Sequence, residues 1–260
     1  MTSSGVWIAA ARLLLDHIED TQMDSIDQTA RWCADTISAG GLVHMFGTGH
    51  SRIPVEEMFP RYGSYPGFNP IVELSMTFHT EVIGANGQPQ AMFIERVEGL
   101  AAVILDGYEF GPDDIMIIFS SSGRAAVPVE MAIGARDRGL KVVGVTSIAE
   151  STATPSVHSS GLRLIDCSDI VIDLGTPAGD ALVRLDGLDT PVGPGSTVAN
   201  TAIVNEIKVR CAELLVESGD MPPVLTSGSV VGEDESRRLF TEAYAEHGRR
   251  VASLLSKQSR

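Results

Sequence analysis

IMIIFSSSGRAAVPVE, residues 115–130, decides the fold. Ile115 to Phe119 is a run of five apolar residues bounded by turn residues, the length and setting of a strand buried on both faces. Three serines, Gly123 and Arg124 break the run, and AAVPVEMAIGARDRG continues with helical patterning. Pro128 is tolerated in the first turn of that helix, where the early N–H groups have no intrahelical partner. The helix is therefore expected to start near Arg124 or Ala125. A hydroxyl-rich turn is left at the end of a buried strand.

The same order recurs along the chain. LVHMF (42–46) leads into the turn FGTGHSRIP and a helix expected near 52–62, with Pro54 early in it. IVEL (71–74), KVVGVT (141–146) and DIVIDL (169–174) read as strands, and AMFIERVEGLAAVILD (91–106) as a helix. Residues 6–38 and 196–219 have helical patterning, and 175–196 is a loop rich in glycine and proline. Residues 219–232 read as loop, and 233–256 as a charged amphipathic helix lying on a neighbour. Short strands alternating with helices define an α/β class: a three-layer αβα sandwich with a five-stranded parallel sheet, plus N- and C-terminal helices. The expected organisation is helices over 1–38, a ligand-binding domain over 39–218, and a loop and helix over 219–260.

Composition excludes several roles. The chain is 43% hydrophobic with a formal net charge of −15, which argues against broad nucleic-acid or anionic-membrane binding. No run reaches the length of a membrane-spanning helix, and the first residues lack the pattern of a signal peptide. Cys33, Cys167 and Cys211 are widely spaced and form no CxxC pair, which fits a reducing cytoplasm. The six histidines form no HxH or HxxxH pattern. No metal and no organic cofactor is expected.

In open parallel sheets, ligands bind beyond the C-terminal ends of the strands. Two strand ends stand out here, HMFGTGHSRIP (44–54) and the opening stretch. Serine and glycine are ordinary cap and turn residues, and either turn alone reads as a helix cap. Two comparable turns in one sheet favour an anion site suited to phosphate, built from free amides and hydroxyls.

FGTGHS (46–51), SSSGR (120–124) and KVVGVTS (141–147) together resemble the signatures of the SIS (sugar isomerase) domain superfamily, over roughly residues 30–218. STVANTAIVNE (196–206) is also similar to the late helix of N-acetylmuramic acid 6-phosphate etherases. The resemblance is greatest to short bacterial proteins with one SIS domain, acting in amino-sugar phosphate metabolism. It implies a phosphosugar ligand and a homodimer or homotetramer with sites at the subunit interface. It also implies Ser51, Ser120 and Ser122 as phosphate ligands, with backbone amides from Ser121 and Gly123. Many relatives carry a threonine where Ala125 stands, and the charge of Arg124 is expected to compensate. Gly49, Ser196, Thr197 and Asn200 are the sugar-side candidates; Ser196 and Thr197 also read as N-caps of the late helix.

Isomerisation or elimination on an amino-sugar phosphate begins with removal of the C2 proton, which needs a carboxylate or imidazole with a pKa near neutral. Candidates are His50, Glu56 and Glu57 after the first turn, with Glu57 favoured by the resemblance to isomerases that carry a catalytic glutamate on this helix, and His79 and Glu81, two apart in TFHTEVIG (77–84) and so sharing a face if extended. Arg52 and Arg61 flank the first helix. Elimination at C3 is the favoured reading, with aldose–ketose isomerisation and a non-catalytic phosphosugar sensor as alternatives. A rival ligand is a dinucleotide. GTGHSR matches G-x-G-x-x-R, with Arg52 in place of the third glycine and Glu73 about where a ribose-binding acid would lie.

Overall fold

The computed structural model describes residues 3–77 and 87–254. The chain opens with α1 (Val6–Ser38) and β1 (Val43–Gly47). A 3₁₀ turn (Gly49–Arg52), α2 (Ile53–Met58), β2 (Phe68–Ile71), α3 (Leu74–Thr77), α4 (Gln88–Ile94) and α5 (Leu100–Leu105) follow. The middle holds β3 (Ile115–Phe119), α6 (Ala126–Asp137), β4 (Lys141–Thr146), α7 (Ile148–Ala153), α8 (Leu164–Cys167) and β5 (Ile170–Asp173). A hairpin of β6 (Ala181–Val183) and β7 (Val192–Pro194) precedes α9 (Ser196–Ser218), α10 (Gly228–Val231) and α11 (Glu233–Leu254). Five strands pair in parallel in the order β2-β1-β3-β4-β5, giving the expected αβα sandwich. None of the described helices is long and apolar enough to cross a membrane.

Successive side chains of β1 and β3 enter cores on opposite faces of the sheet. Val43, Met45, Ile115 and Ile117 pack with α1, α2 and α9, whereas Phe46, Met116 and Ile118 pack with α5, α6 and α8. Both strands are buried along their whole length; β3 accordingly reads as an unbroken apolar run, and β1 departs from one only at His44. Each fully buried aliphatic side chain contributes roughly 1.5–3 kcal/mol.

Four local readings shift. Of IVEL only Ile71 belongs to β2, which begins at Phe68 and contains Pro70, and Leu74 already begins α3; β2 is an edge strand, where a missing N–H is tolerated. The helix expected at 52–62 stops at Met58, because Phe59 precedes Pro60 and takes an extended conformation. The helix expected at 91–106 is two helices, interrupted before Gly99, whose amide donates to Glu130. The loop at 175–196 contains the β6–β7 hairpin.

One polar network is buried beneath the sheet. His44 Nδ1 accepts from Asn69 Nδ2 at 3.1 Å, so Nε2 donates to Asp114 at 2.9 Å. Asp114 also accepts the amides of Leu42 and Gly111, tying β1, β2 and β3 together. Burial alone would raise the Asp114 pKa; the hydrogen bonds from His44 and the two amides outweigh it and hold the carboxyl below its ordinary range.

Candidate functional site

The strand order places the switch point between β1 and β3, where crossovers leave in opposite directions and a crevice opens. The register pairs Gly47 with Phe119, so Thr48 and Ser120 leave the two strands side by side. The two serine-bearing turns therefore face each other for a local reason, the equal ends of two adjacent strands. They line a cavity of about 560 Å³.

Close packing fixes both turns. A Cβ on Gly47 would collide with the carbonyl of Ser51. Gly123 has φ +59°, and a Cβ there would stand 2.7 Å from Thr146 Oγ1. The Gly123 amide donates to Ser120 Oγ, and Ser121 O accepts from Ser147 N and Thr146 Oγ1. Among the described residues, the amides of Ser121 and Ser122 meet no carbonyl or side-chain acceptor. Two unspent donors at a cavity wall form an anion cradle. The first turn of α6 contributes less than the sequence suggests, since the Val127 amide donates to Glu95 O and Pro128 has no N–H.

Gly49, His50, Ser51, Ser120, Ser121, Ser122, Ser196 and Thr197 come together around the cavity. Four other candidates do not line it. Gly123 lies behind the turn with its amide already used. Arg124 donates to Pro155 O and stands 3.8 Å from Glu150, so its charge is spent on a neighbouring loop. Asn200 is buried, donating to Ser196 O, with Oδ1 lacking a partner. Glu57 points toward α9, where it accepts from Asn205 Nδ2 at 3.3 Å and from Arg61 at 2.7 Å. Lys208 donates to the Glu57 carbonyl, which clamps α2 onto α9 and so braces the first turn. Arg52 pairs with Glu56. His79 and Glu81 lie outside the described residues.

The cavity holds groups that the sequence reading did not single out. Glu95, at the end of α4, is the chief one: Thr48 Oγ1 donates to its Oε2 at 2.7 Å, and burial raises its pKa above the ordinary carboxylate value despite that bond. No local pattern marks it, because its burial comes from the opposite turn. Glu150 lines the wall, and its Oε2 accepts from Gly179 N. Its position was signalled by S-x-x-E at 147–150, since Ser147 caps α7 by accepting the Glu150 amide. Asp180 has φ +62° and caps α9, accepting from Gly195 N, Ser196 N and Ser196 Oγ. Ser196 is therefore a donor to the cap rather than the cap itself. No lysine or arginine is among the described lining residues; backbone amides, hydroxyls and the polar side chains of His50 and Gln88 line it instead.

This geometry also weighs against the dinucleotide reading. The GTGHSR turn opens into a 3₁₀ turn and a helix of only 6 residues, whereas a pyrophosphate site uses the N-terminus of a full crossover helix.

Comparison with known proteins agrees with the architecture. A UPF0309 protein of Streptomyces coelicolor is 37% identical over 245 residues, covering 94% of this chain and 95% of that protein. A UPF0309 protein of Geobacillus kaustophilus is 33% identical over 234 residues, covering 90% and 89%. Among solved structures, a phosphoheptose isomerase from Francisella tularensis matches with a TM-score of 0.54 at 15% identity, covering 82% of this chain and all of that one. That likeness is one of fold. The family profile described as SIS domain matches residues 6–147. On the matched residues and the near full-length relatives, the chain belongs to the SIS domain family, within its UPF0309 group.

Proposed function

We propose that the cavity binds a sugar phosphate, and that the chain is a cofactor-independent lyase acting on an amino-sugar 6-phosphate such as N-acetylglucosamine 6-phosphate. The observation that carries this reading is the pairing of unspent Ser121 and Ser122 amides with a half-buried Glu95 on the facing wall. The phosphoryl group takes the amides and the hydroxyls of Ser51, Ser120 and Ser122. The sugar extends toward Glu95, Ser196 and Thr197.

Glu95 is the base in this scheme. Burial brings a carboxylate closer to neutral pKa, where it takes a carbon-bound proton more effectively. In the open-chain aldehyde the C2 proton passes to Glu95, the C2=C3 double bond forms and the C3–O bond breaks. The departing oxygen takes a proton from the His50 imidazolium and leaves as water.

The substituent on C2 chooses between reactions. With an N-acetylamino group there, C2 cannot become a carbonyl by proton transfer alone, so the carbanion either expels the C3 group or is reprotonated. With a C2 hydroxyl, the same proton transfer gives aldose–ketose isomerisation. The Francisella tularensis neighbour, a phosphoheptose isomerase of the same fold, keeps the isomerase as the second reading. A sensor would need the cradle but no base.

Incubation with N-acetylglucosamine 6-phosphate in deuterium oxide, followed by NMR, separates these outcomes. An unsaturated product supports the lyase. Turnover only of a C2-hydroxyl sugar phosphate to its ketose supports the isomerase. Binding without deuterium uptake from either leaves the sensor. A homodimer completing the site across the interface is part of the proposal, and light scattering behind gel filtration reads that mass.

A further inference from the structure

A second group of chemically active side chains lies outside the cavity. Glu98 follows α4, Glu130 is on α6, and His158 is in the loop after α7. Their ligand-type atoms all lie within 4.8 Å of one another. Nothing in the local sequence announces this cluster, because its members are 32 and 28 positions apart.

The orientation of each side chain is set from its far side. Glu98 accepts from Ser159 N and Ser159 Oγ, each at 2.7 Å. Both Glu130 oxygens accept from the Gly99 amide at 2.9 Å. His158 Nδ1 accepts from the Ser160 amide at 3.3 Å and lies 2.7 Å from Ser160 Oγ, so Nε2 carries the ring proton and faces Glu130. Both Glu98 oxygens and Glu130 Oε2 keep a further lone pair, and the one on Glu130 Oε1 that faces His158 Nε2 is the one a cation would take over. Coordination through Nε2 requires the other neutral tautomer, in which the proton moves to Nδ1 and is donated to Ser160 Oγ, the outer-partner arrangement of metal-binding imidazoles.

The spacing suits a small ion. His158 Nε2 stands 3.3 Å from Glu130 Oε1, long for a charge-assisted hydrogen bond. Ligand atoms around a tetrahedral zinc, with bonds of ~2.0–2.2 Å, sit about 3.4 Å apart. His158 and Glu130 already have that separation, and the exposed Glu98 side chain, within 4.8 Å of both, reaches the ion by exchanging a hydrogen bond to Ser159 for it. Two carboxylates share this space with a single imidazole, so a dication offsets their repulsion better than the imidazole alone. One imidazole and two carboxylates form a zinc donor set with a fourth position left for water.

We propose that Glu98, Glu130 and His158 form a binding site for a divalent zinc-class cation that ties the α4–α5 junction to α6 and to the 154–163 loop. The site is separate from the phosphosugar cavity and does not depend on how that cavity is read.

The test uses the full chain, stripped with a chelator and dialysed. Titration calorimetry with zinc chloride should give one equivalent bound. Glu98→Gln and His158→Gln should each weaken it at least tenfold. Zinc should also raise the wild-type melting temperature, since a ligand bound only to the native state stabilises it by mass action. Glu98→Gln should show little of that rise. Glu98 is exposed and the change is isosteric, so this variant folds as the wild type does, which circular dichroism checks. Absence of stoichiometric zinc binding by the wild type overturns the proposal, as does wild-type affinity in either variant.

Discussion

Thr48 Oγ1 donates a 2.7 Å hydrogen bond to Glu95 Oε2, so the residue that follows β1 holds the carboxylate that lines the cavity with both serine turns. The bond is made across 47 positions of sequence. It opposes the effect of burial, which raises the Glu95 pKa.

Glu95→Gln should lower turnover by about 10²–10⁴-fold while phosphosugar binding persists, as removal of a general base does. The folded state holds the Glu95 proton more tightly than the unfolded chain. Ionisation therefore subtracts stability as pH rises from the ordinary carboxylate value through the raised one. The glutamine variant should melt no lower than wild type at neutral pH. Thr48→Val removes the opposing bond, and should shift the acidic limb of the kcat/KM profile to higher pH.

Ser51→Ala and Ser122→Ala should each weaken phosphosugar binding without unfolding the chain. A hydrogen bond to a charged group contributes about 1.5–3 kcal/mol, or roughly a 10–100-fold change in Kd. Calorimetric titration with a sugar 6-phosphate reads this directly. Unchanged affinity in both would remove the phosphate from these turns.

Glu57→Gln should keep most of the turnover. Its side chain is held by Asn205 and Arg61 on the α9 side of α2, so its loss costs about 1 kcal/mol of stability. Urea unfolding measures that cost. A hundredfold loss of kcat in a variant of normal stability would instead return Glu57 to the catalytic set.

His247 gives the chain a pH dependence of its own. Burial, and then the neighbouring Arg250, hold its pKa below the ordinary 6.5; its Nδ1 is buried without a partner, and its ring packs edge-on against Phe59. The unfolded chain therefore binds this proton more readily than the folded one. The stability it allows is full above pH 6.5 and falls as pH drops below that value. In His247→Leu the difference in Tm between pH 7.5 and pH 5.5 should be smaller than in wild type. Asp114 does not contribute in that range, because its carboxyl lies below 3.8.

The sequence by itself determined what is local. The β3 and β4 runs coincide with their strands residue for residue, because a strand buried on both faces is mostly apolar; in β4 the one exposed position is the lysine, Lys141. The glycines and serines that end β1 and β3 marked the cavity for the same reason: turn chemistry is set within a few residues. The direction of Glu57 was not legible, since it depends on α2 packing against α9. Nor was Glu95, whose burial and hydrogen bond come from a turn far away in sequence, nor Asp180, which caps a helix from the preceding hairpin. The convergence of Glu98, Glu130 and His158 was likewise decided only by the packing of three segments. Charge, burial and proton affinity at a site are sums over neighbours in space, and only the tertiary structure supplies those neighbours.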